Sequence, residues 1–168
     1  YVPTYFEKGF GFKEADSAPA LTVGSGAEAV RMRGRVDRID LAADGRVRVV
    51  DYKSSSANIS KKEALAGRNM QLPVYAMAVS EAILPESQVT GGVYLSFSKG
   101  ESVGSIDFED GEEDYVGATK EKIISFVKSV KSGNFVIEPS LSTVCNNCDH
   151  GQICRLSELP SGGDSNLD

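Results

Sequence analysis

The chain has 168 residues, 40% of them hydrophobic, which suits a single domain with a core of its own. Its formal net charge of −6 at pH 7 argues against a whole-surface electrostatic grip on DNA, since phosphate binding shows as a basic footprint. No apolar run approaches the roughly 20 residues of a membrane span and no signal peptide is visible, so a cytoplasmic protein outside the membrane is expected.

The first residues, YVPTYFEKGFGF, read as a strand, and an opening on Tyr1 rather than Met suggests a piece of a longer protein. An irregular stretch from Lys13 to Pro19 and a Gly24-Ser25-Gly26 turn lead into a strand near Ala29 to Arg33. The core is therefore expected to begin as an antiparallel meander.

The most informative stretch follows, GRVDRIDLAADGRVRVVDYK from Gly34 to Lys53. Val36 to Leu41 and Val47 to Lys53 each alternate with period two, and Asp44-Gly45 between them is a strong hairpin signal. Side chains alternate across a strand, so Asp37, Ile39 and Leu41 share one face with Val47, Val49, Asp51 and Lys53. A slip of one residue would turn a strand's apolar set outward, which favours the register of Ile39 with Val49 and Leu41 with Val47. That register sets Asp40 opposite Arg48 and Asp37 opposite Asp51, and it requires an odd-numbered loop with Gly45 left-handed. Directly opposed carboxylates repel unless something lies between them. A divalent cation such as Mg²⁺ or Mn²⁺ resolves the conflict, because hard cations take carboxylate oxygens and keep water and phosphate as other ligands. Lys53 points to the same side, where it can steady a nucleophile or developing phosphorane charge. In outline, the set suits metal-assisted phosphodiester hydrolysis.

After the polar SSSANIS loop, Ser60 and Glu63 form a capping box for a helix expected from Lys61 to Ile83. Met70, Val74, Met77 and Ala78 recur on its apolar face, widened by Leu65, Leu72, Val79 and Ile83, while Arg68, Gln71 and Tyr75 share another. Pro73, in mid-helix, predicts a kink. Gly91 to Ser98 and Ser102 to Phe108 read as hairpin-linked strands with Lys99-Gly100 in the turn. A second helix is expected from about Glu112 to Ser132, buried through Tyr115, Ala118, Ile123, Phe126, Val127 and Val130 and ended by Gly133-Asn134. Strands with helices packed across them define an α/β sandwich.

All three cysteines, Cys145, Cys148 and Cys154, fall in VCNNCDHGQIC with C-x2-C-x5-C spacing. In a cytosolic protein such clustering favours metal over disulfides. Zinc with His150 as fourth ligand is one reading, and three reduced thiols with no metal another. The tail from Ser161 to Asp168 is rich in Gly, Ser and Asp and is expected to be disordered.

GRVDRID, VVDYKSS and QLPVYAMA, in that order, resemble three consecutive motifs of the RecB-like nucleases, a branch of the PD-(D/E)XK superfamily. Relatives include nuclease domains of bacterial RecB and AddB helicase-nuclease subunits and CRISPR-associated exonucleases with a cysteine cluster. The resemblance covers about Pro3 to Arg155. It implies an α/β fold with a restriction-endonuclease-like core, a mixed central sheet with flanking helices, spanning residues 1–156 before a flexible tail at 157–168. It also implies that Asp37 and Asp51 are metal ligands, that Lys53 is the catalytic lysine, and that Gln71 and Tyr75 line the site and help to position substrate. Glu7, ahead of Gly9, Phe10 and Gly11, resembles a glutamate of the family's first strand, although a solvated edge-strand role is an equal reading. Several family members hold a [4Fe-4S] cluster with such a cysteine triplet and a distant upstream cysteine, which here would lie outside this chain. The family's active-site histidine sits on a helix before the first strand; His150 does not match it, so that helix is expected to be missing from this piece. The implied activity is a DNA nuclease of recombinational repair working with a helicase subunit or domain. The alternatives are an inactive DNA-binding or structural module of the same fold, and a zinc-stabilised interaction domain. No phosphate-binding G-x-x-x-x-G-K-[ST] loop is present, so any ATP-driven motor would lie elsewhere.

Overall fold

A computed structural model of the chain describes residues 1–54, 61–85, 87–109, 114–135, 145 and 148–154. The larger of two compact units, Tyr1–Ser132, contains strands β1 (Val2–Phe10), β2 (Leu21–Val23), β3 (Val30–Met32), β4 (Gly34–Leu41), β5 (Arg46–Lys53), β6 (Gln88–Ser96) and β7 (Ser102–Asp107). Its helices are α1 (Lys61–Leu65), α2 (Gln71–Ala78) and α3 (Tyr115–Lys131). Five strands form one mixed sheet in the order β1-β4-β5-β6-β7, parallel between β5 and β6 and antiparallel elsewhere. This is the expected α/β architecture of a restriction-endonuclease-like core.

The β4–β5 hairpin has the register dictated by its alternation: Ile39 pairs with Val49, Asp40 with Arg48 and Leu41 with Val47. Ala42 N–H donates to the Arg46 carbonyl at 2.8 Å, leaving Ala43, Asp44 and Gly45 as the turn, with Gly45 at φ 86°. Only a residue without Cβ takes that left-handed conformation at no steric cost.

The opening is not a meander. β2 and β3 pair with each other in a separate two-stranded sheet, and β1 pairs instead with β4. Short strands with no partner on the main sheet cannot continue its ladder, a choice made by tertiary contacts rather than by local pattern.

The single helix expected over Lys61–Ile83 is two helices. Gly67, at φ 74°, ends the first, and the chain re-enters helical geometry at Gln71. Pro73 therefore lies in a first turn, where its missing N–H has no intrahelical partner to lose, and produces no mid-helix kink. The break also takes Arg68 out of helical register with Gln71 and Tyr75. Beyond Ala78, α2 widens into a π turn over Val79–Ile83, closed by Leu84 N–H on the Val79 carbonyl at 2.8 Å. Ser60 of the expected capping box lies outside the described residues.

α2 packs on the sheet face that carries Val49, Asp51 and Gly92. A Cβ on Gly92 would stand 3.0 Å from Leu72 Cβ, so the missing side chain sets how closely the helix approaches. Leu72, Met77, Ala78 and Val79 are fully buried, as the apolar stripe requires. α3 is capped by Asp114, which accepts from Gly117 N–H at 2.7 Å, and is followed by Gly133 at φ 69°. Tyr115 and Ile123 are buried, but Phe126 is 48% and Val130 60% exposed, contrary to the expected burial. α3 packs against α1, α2 and β2, and these leave its apolar side uncovered at Phe126 and Val130.

In the second unit, Gly133–Asp168, the described residues include a short helix α4 (Gly151–Cys154). The tail expected to be disordered lies outside the described residues.

Candidate active site

β4 and β5 bring Asp37, Asp51 and Lys53 to one end of the hairpin, on the face that α2 covers. The ladder itself stops one residue short of a direct Asp37–Asp51 pair. Its last partners there are Arg38 and Val50, and Tyr52 N–H donates to Asp37 Oδ2 at 3.0 Å instead. With two carboxylates converging, a backbone donor turned onto one of them relieves more repulsion than another ladder bond.

Asp51 is 1% exposed. Lys53 Nζ lies 2.6 Å from its Oδ2, and Gln71 Nε2 donates to its Oδ1. Gln71 is fixed from both sides, because its carbonyl oxygen accepts from Lys53 Nζ at 2.5 Å while Nε2 also meets Tyr75 Oη at 3.0 Å. An amide is the side chain that can present an acceptor to an ammonium and a donor to a carboxylate at once. Tyr75 Oη in turn reaches Asp37 Oδ1 at 3.5 Å. All five residues read from the sequence as site candidates thus form one connected cluster.

The electrostatics of the cluster are uneven. Burial raises the Asp51 carboxyl above its ordinary range against the opposing pull of Lys53, and neighbouring Asp37 raises it further. Burial also pushes the Tyr75 hydroxyl up to about 12, so it is protonated at neutral pH and serves as a hydrogen-bonding group.

The donor set suits a hard divalent cation. Mg²⁺ is commonly held by one or two carboxylates together with water and substrate phosphate, and Asp51 Oδ2 is buried without a hydrogen-bond donor of good geometry. Among the described residues no three His, Cys, Asp or Glu side chains converge as a closed metal cage. That includes the cysteines: Cys145 and Cys148 are free and exposed, and Cys154 is free and half-buried. Their backbones are linked locally, Cys148 N–H to the Cys145 carbonyl at 3.3 Å and Cys154 N–H to the His150 carbonyl at 2.9 Å.

Glu7 stays on the exposed edge strand at φ 50°, its carbonyl accepting from Arg35 Nη1 at 3.2 Å. The pairs Phe6–Arg38 and Lys8–Val36 bracket it, so this strained residue stands across from Asp37.

Sequence reasoning missed two residues beside the cluster, Tyr94 and Asn69. Tyr94 pairs with Asp51 across the parallel β5–β6 ladder, and its hydroxyl donates to Asn69 Oδ1 at 2.5 Å. No local signal identifies them, because the contacts depend on which strand lies beside β5.

A mixed sheet whose central hairpin presents two aspartates and a lysine to a glutamine-bearing helix defines a nuclease scaffold. The model of the PD-(D/E)XK nuclease superfamily matches residues 1–155, and the chain belongs to that superfamily. Among curated relatives, an ATP-dependent helicase/deoxyribonuclease subunit from Symbiobacterium thermophilum is 39% identical over 104 residues, which are 56% of this chain and 9% of that protein. The ATP-dependent helicase/deoxyribonuclease subunit from Lactococcus lactis subsp. lactis is 25% identical over 138 residues, 77% of this chain and 12% of that protein. The exonuclease/helicase subunit RexB of Lactococcus lactis subsp. cremoris is 32% identical over 68 residues, 40% of this chain and 6% of that protein. The chain therefore spans about a tenth of the length of the relatives it matches. The crystal structure of SSO0001 aligns with 93% of this chain and 62% of its own at a TM-score of 0.48 and 17% identity. Among the described residues no helix is long and apolar enough to cross a membrane.

Proposed function

We propose that this chain is a Mg²⁺-dependent deoxyribonuclease domain in which Asp37 and Asp51 hold the cation, Lys53 is the catalytic lysine, and Gln71 and Tyr75 position the reacting groups. Mn²⁺ suits the same donors. The observation that carries the reading is the convergence of two carboxylates, an ammonium and a bridging amide at one strand end. The chemistry supplied by such an ion is activation of water and neutralisation of charge on the phosphate.

The chain's own residues supply the rest. The Lys53 ammonium would steady negative charge developing on the phosphorane, and Gln71 restricts its swing by accepting a hydrogen bond from it. Gln71 also fixes the rotamer of Asp51, so both groups are pre-set before DNA arrives. Tyr75 keeps its proton at neutral pH and donates toward Asp37, holding that carboxylate without competing as a base.

The relatives' names support action on DNA alongside a helicase subunit or domain; recombinational repair and a cytoplasmic location are proposed with it. Cys145, Cys148 and Cys154 are proposed as ligands of a [4Fe-4S] cluster completed by a cysteine outside this chain, with Zn²⁺ as the alternative. The deciding experiment is cleavage of single- and double-stranded DNA with and without Mg²⁺, by anaerobically prepared protein and by Lys53→Ala. Metal-dependent cleavage that falls roughly 10²–10³-fold or more in the variant is expected. Folded protein that cleaves no DNA with either Mg²⁺ or Mn²⁺ would overturn the reading in favour of a structural module.

A further inference from the structure

α2 begins with Gln71, the residue that bridges Asp51 and Lys53, yet its N-cap is Met70, whose side chain offers no hydrogen bond to the first turn. The first N–H groups of a helix need acceptors from elsewhere. One arrives from the sheet: Leu72 N–H points at Tyr94 Oη, 3.4 Å away. That hydroxyl is oriented by Asn69, whose side-chain oxygen accepts a hydrogen bond from it at 2.5 Å. Asn69 belongs to the connection between α1 and α2 and is itself tied down by its N–H on the Glu63 carbonyl at 3.1 Å.

The same tyrosine has a second contact. Its ring is fully buried beside Asp51 on the adjacent strand, and Lys53 Nζ lies 5.0 Å from the ring centroid. An ammonium over an aromatic face is held by the ring quadrupole without surrendering its proton. One side chain thus touches the machinery twice, through its ring at Lys53 and through its hydroxyl at the turn that carries Gln71.

We infer that Tyr94 and Asn69 form a positioning pair for the nuclease site, the Tyr94 ring acting as a floor for the Lys53 ammonium and the Tyr94 hydroxyl, aimed by Asn69, as the remote cap that registers Gln71 between Asp51 and Lys53. The inference rests on the roles proposed above for those three residues. Tyr94 is fully buried and the Asn69 side-chain oxygen is engaged by its hydroxyl, so loss of the pair should slow turnover while leaving substrate binding intact.

The test uses the full chain with Tyr94→Phe, Asn69→Ala, the double variant and Asn69→Asp. Tyr94→Phe keeps the ring and its packing but removes the cap; Asn69→Asp keeps the acceptor. Each of the first two should lower kcat about tenfold with KM for DNA within about twofold of the unaltered chain. The double variant should be no slower than the worse single, since both break one linkage. Asn69→Asp should recover most of the rate. In parallel, the Gln71 side-chain amide resonances, recorded without DNA, should move alike in Tyr94→Phe and Asn69→Ala and stay in place in Asn69→Asp. Unmoved Gln71 resonances, or losses that simply add and track thermal stability, would overturn the pair. Failure of the unaltered chain to cleave DNA counts against the nuclease reading instead, and the Gln71 resonances still decide the pair.

Discussion

The two faces of the β4–β5 hairpin each bury an aspartate beside cations, yet they treat it in opposite ways. Asp40 is 0% exposed; Arg38 Nε and Nη2 reach its two oxygens at 2.5 and 2.8 Å, and Arg48 Nη2 adds a bond at 2.9 Å. Burial alone would raise its carboxyl, but the bonds from Arg38 and Arg48 outweigh that and hold it below the ordinary range. Asp51 is equally buried, has one lysine, a neutral amide and a nearby carboxylate, and is raised. The difference lies in how completely the charge is satisfied. Both Asp40 oxygens are taken up by arginine donors, although Arg48 Nε itself is buried without a partner, whereas Asp51 retains an oxygen without a well-formed hydrogen bond.

The comparison breaks most sharply under paired substitutions. Asp51→Asn should abolish metal-dependent cleavage, a loss of roughly 10²–10³-fold or more, while changing unfolding free energy by less than about 1 kcal/mol because Lys53 can turn to water. Asp40→Asn should do the reverse and keep the specific activity of the folded protein. Its cost is about 2–3 kcal/mol, less than the roughly 3–5 kcal/mol of a fully buried pair, since the two arginines retain some access to solvent. Urea unfolding and cleavage assays on the same preparations give both quantities; a destabilised Asp51→Asn or an inactive but folded Asp40→Asn would erase the contrast.

The pH dependence should separate the faces next. A carboxyl raised on folding binds its proton more tightly in the native state, so its contribution to stability declines as pH climbs from about 3.8 through the raised native value. A carboxyl lowered on folding contributes stability above about 3.8 that disappears as pH falls through the native value. In chelator, melting temperature against pH should therefore lose its decline above about 3.8 in Asp51→Asn and its acid-side drop in Asp40→Asn. Identical profiles for the two variants would contradict the assignment. The smallest effect is expected from Tyr52→Phe, which removes the hydroxyl that accepts from Arg38 Nη1 at 3.1 Å. It should cost about 1 kcal/mol and leave cleavage unaltered, because the cluster's charge balance is unchanged.

The hairpin was legible because everything that defines it is local: alternation, a turn glycine and a parity rule fix which residues share a face. Spacing grouped Arg68, Gln71 and Tyr75 on one helix face, and the resemblance of QLPVYAMA to a family motif singled out Gln71 and Tyr75, even though the helix carrying them begins later than the apolar pattern suggested and leaves Arg68 outside it. What escaped depends on distant partners. The break at Gly67, the pairing of β1 with β4, the exposure of Phe126 and Val130 and the placement of Tyr94 beside Asp51 follow from which segments meet in three dimensions. Arg38 escaped for a related reason: that it shares one carboxylate with Arg48 depends on side-chain reach.

The parallel pairing of β5 with β6 also carries a temporal meaning. Tyr52 and Asp37 are 15 residues apart and meet within a hairpin, but Asp51 meets Gln71 at a separation of 20 residues, and Asp37 meets Tyr75 at 38, through a crossover that must first lay α1 and α2 across the sheet. Contacts of greater sequence separation form later, and each doubling of loop length adds about 0.6 kcal/mol of closure entropy. The carboxylates therefore come together early, and the lysine, amide and hydroxyl that tune them are locked only when the crossover docks. A chain still emerging from the ribosome would hold the outline of the centre without its working alignment, which would arrive when the crossover docks.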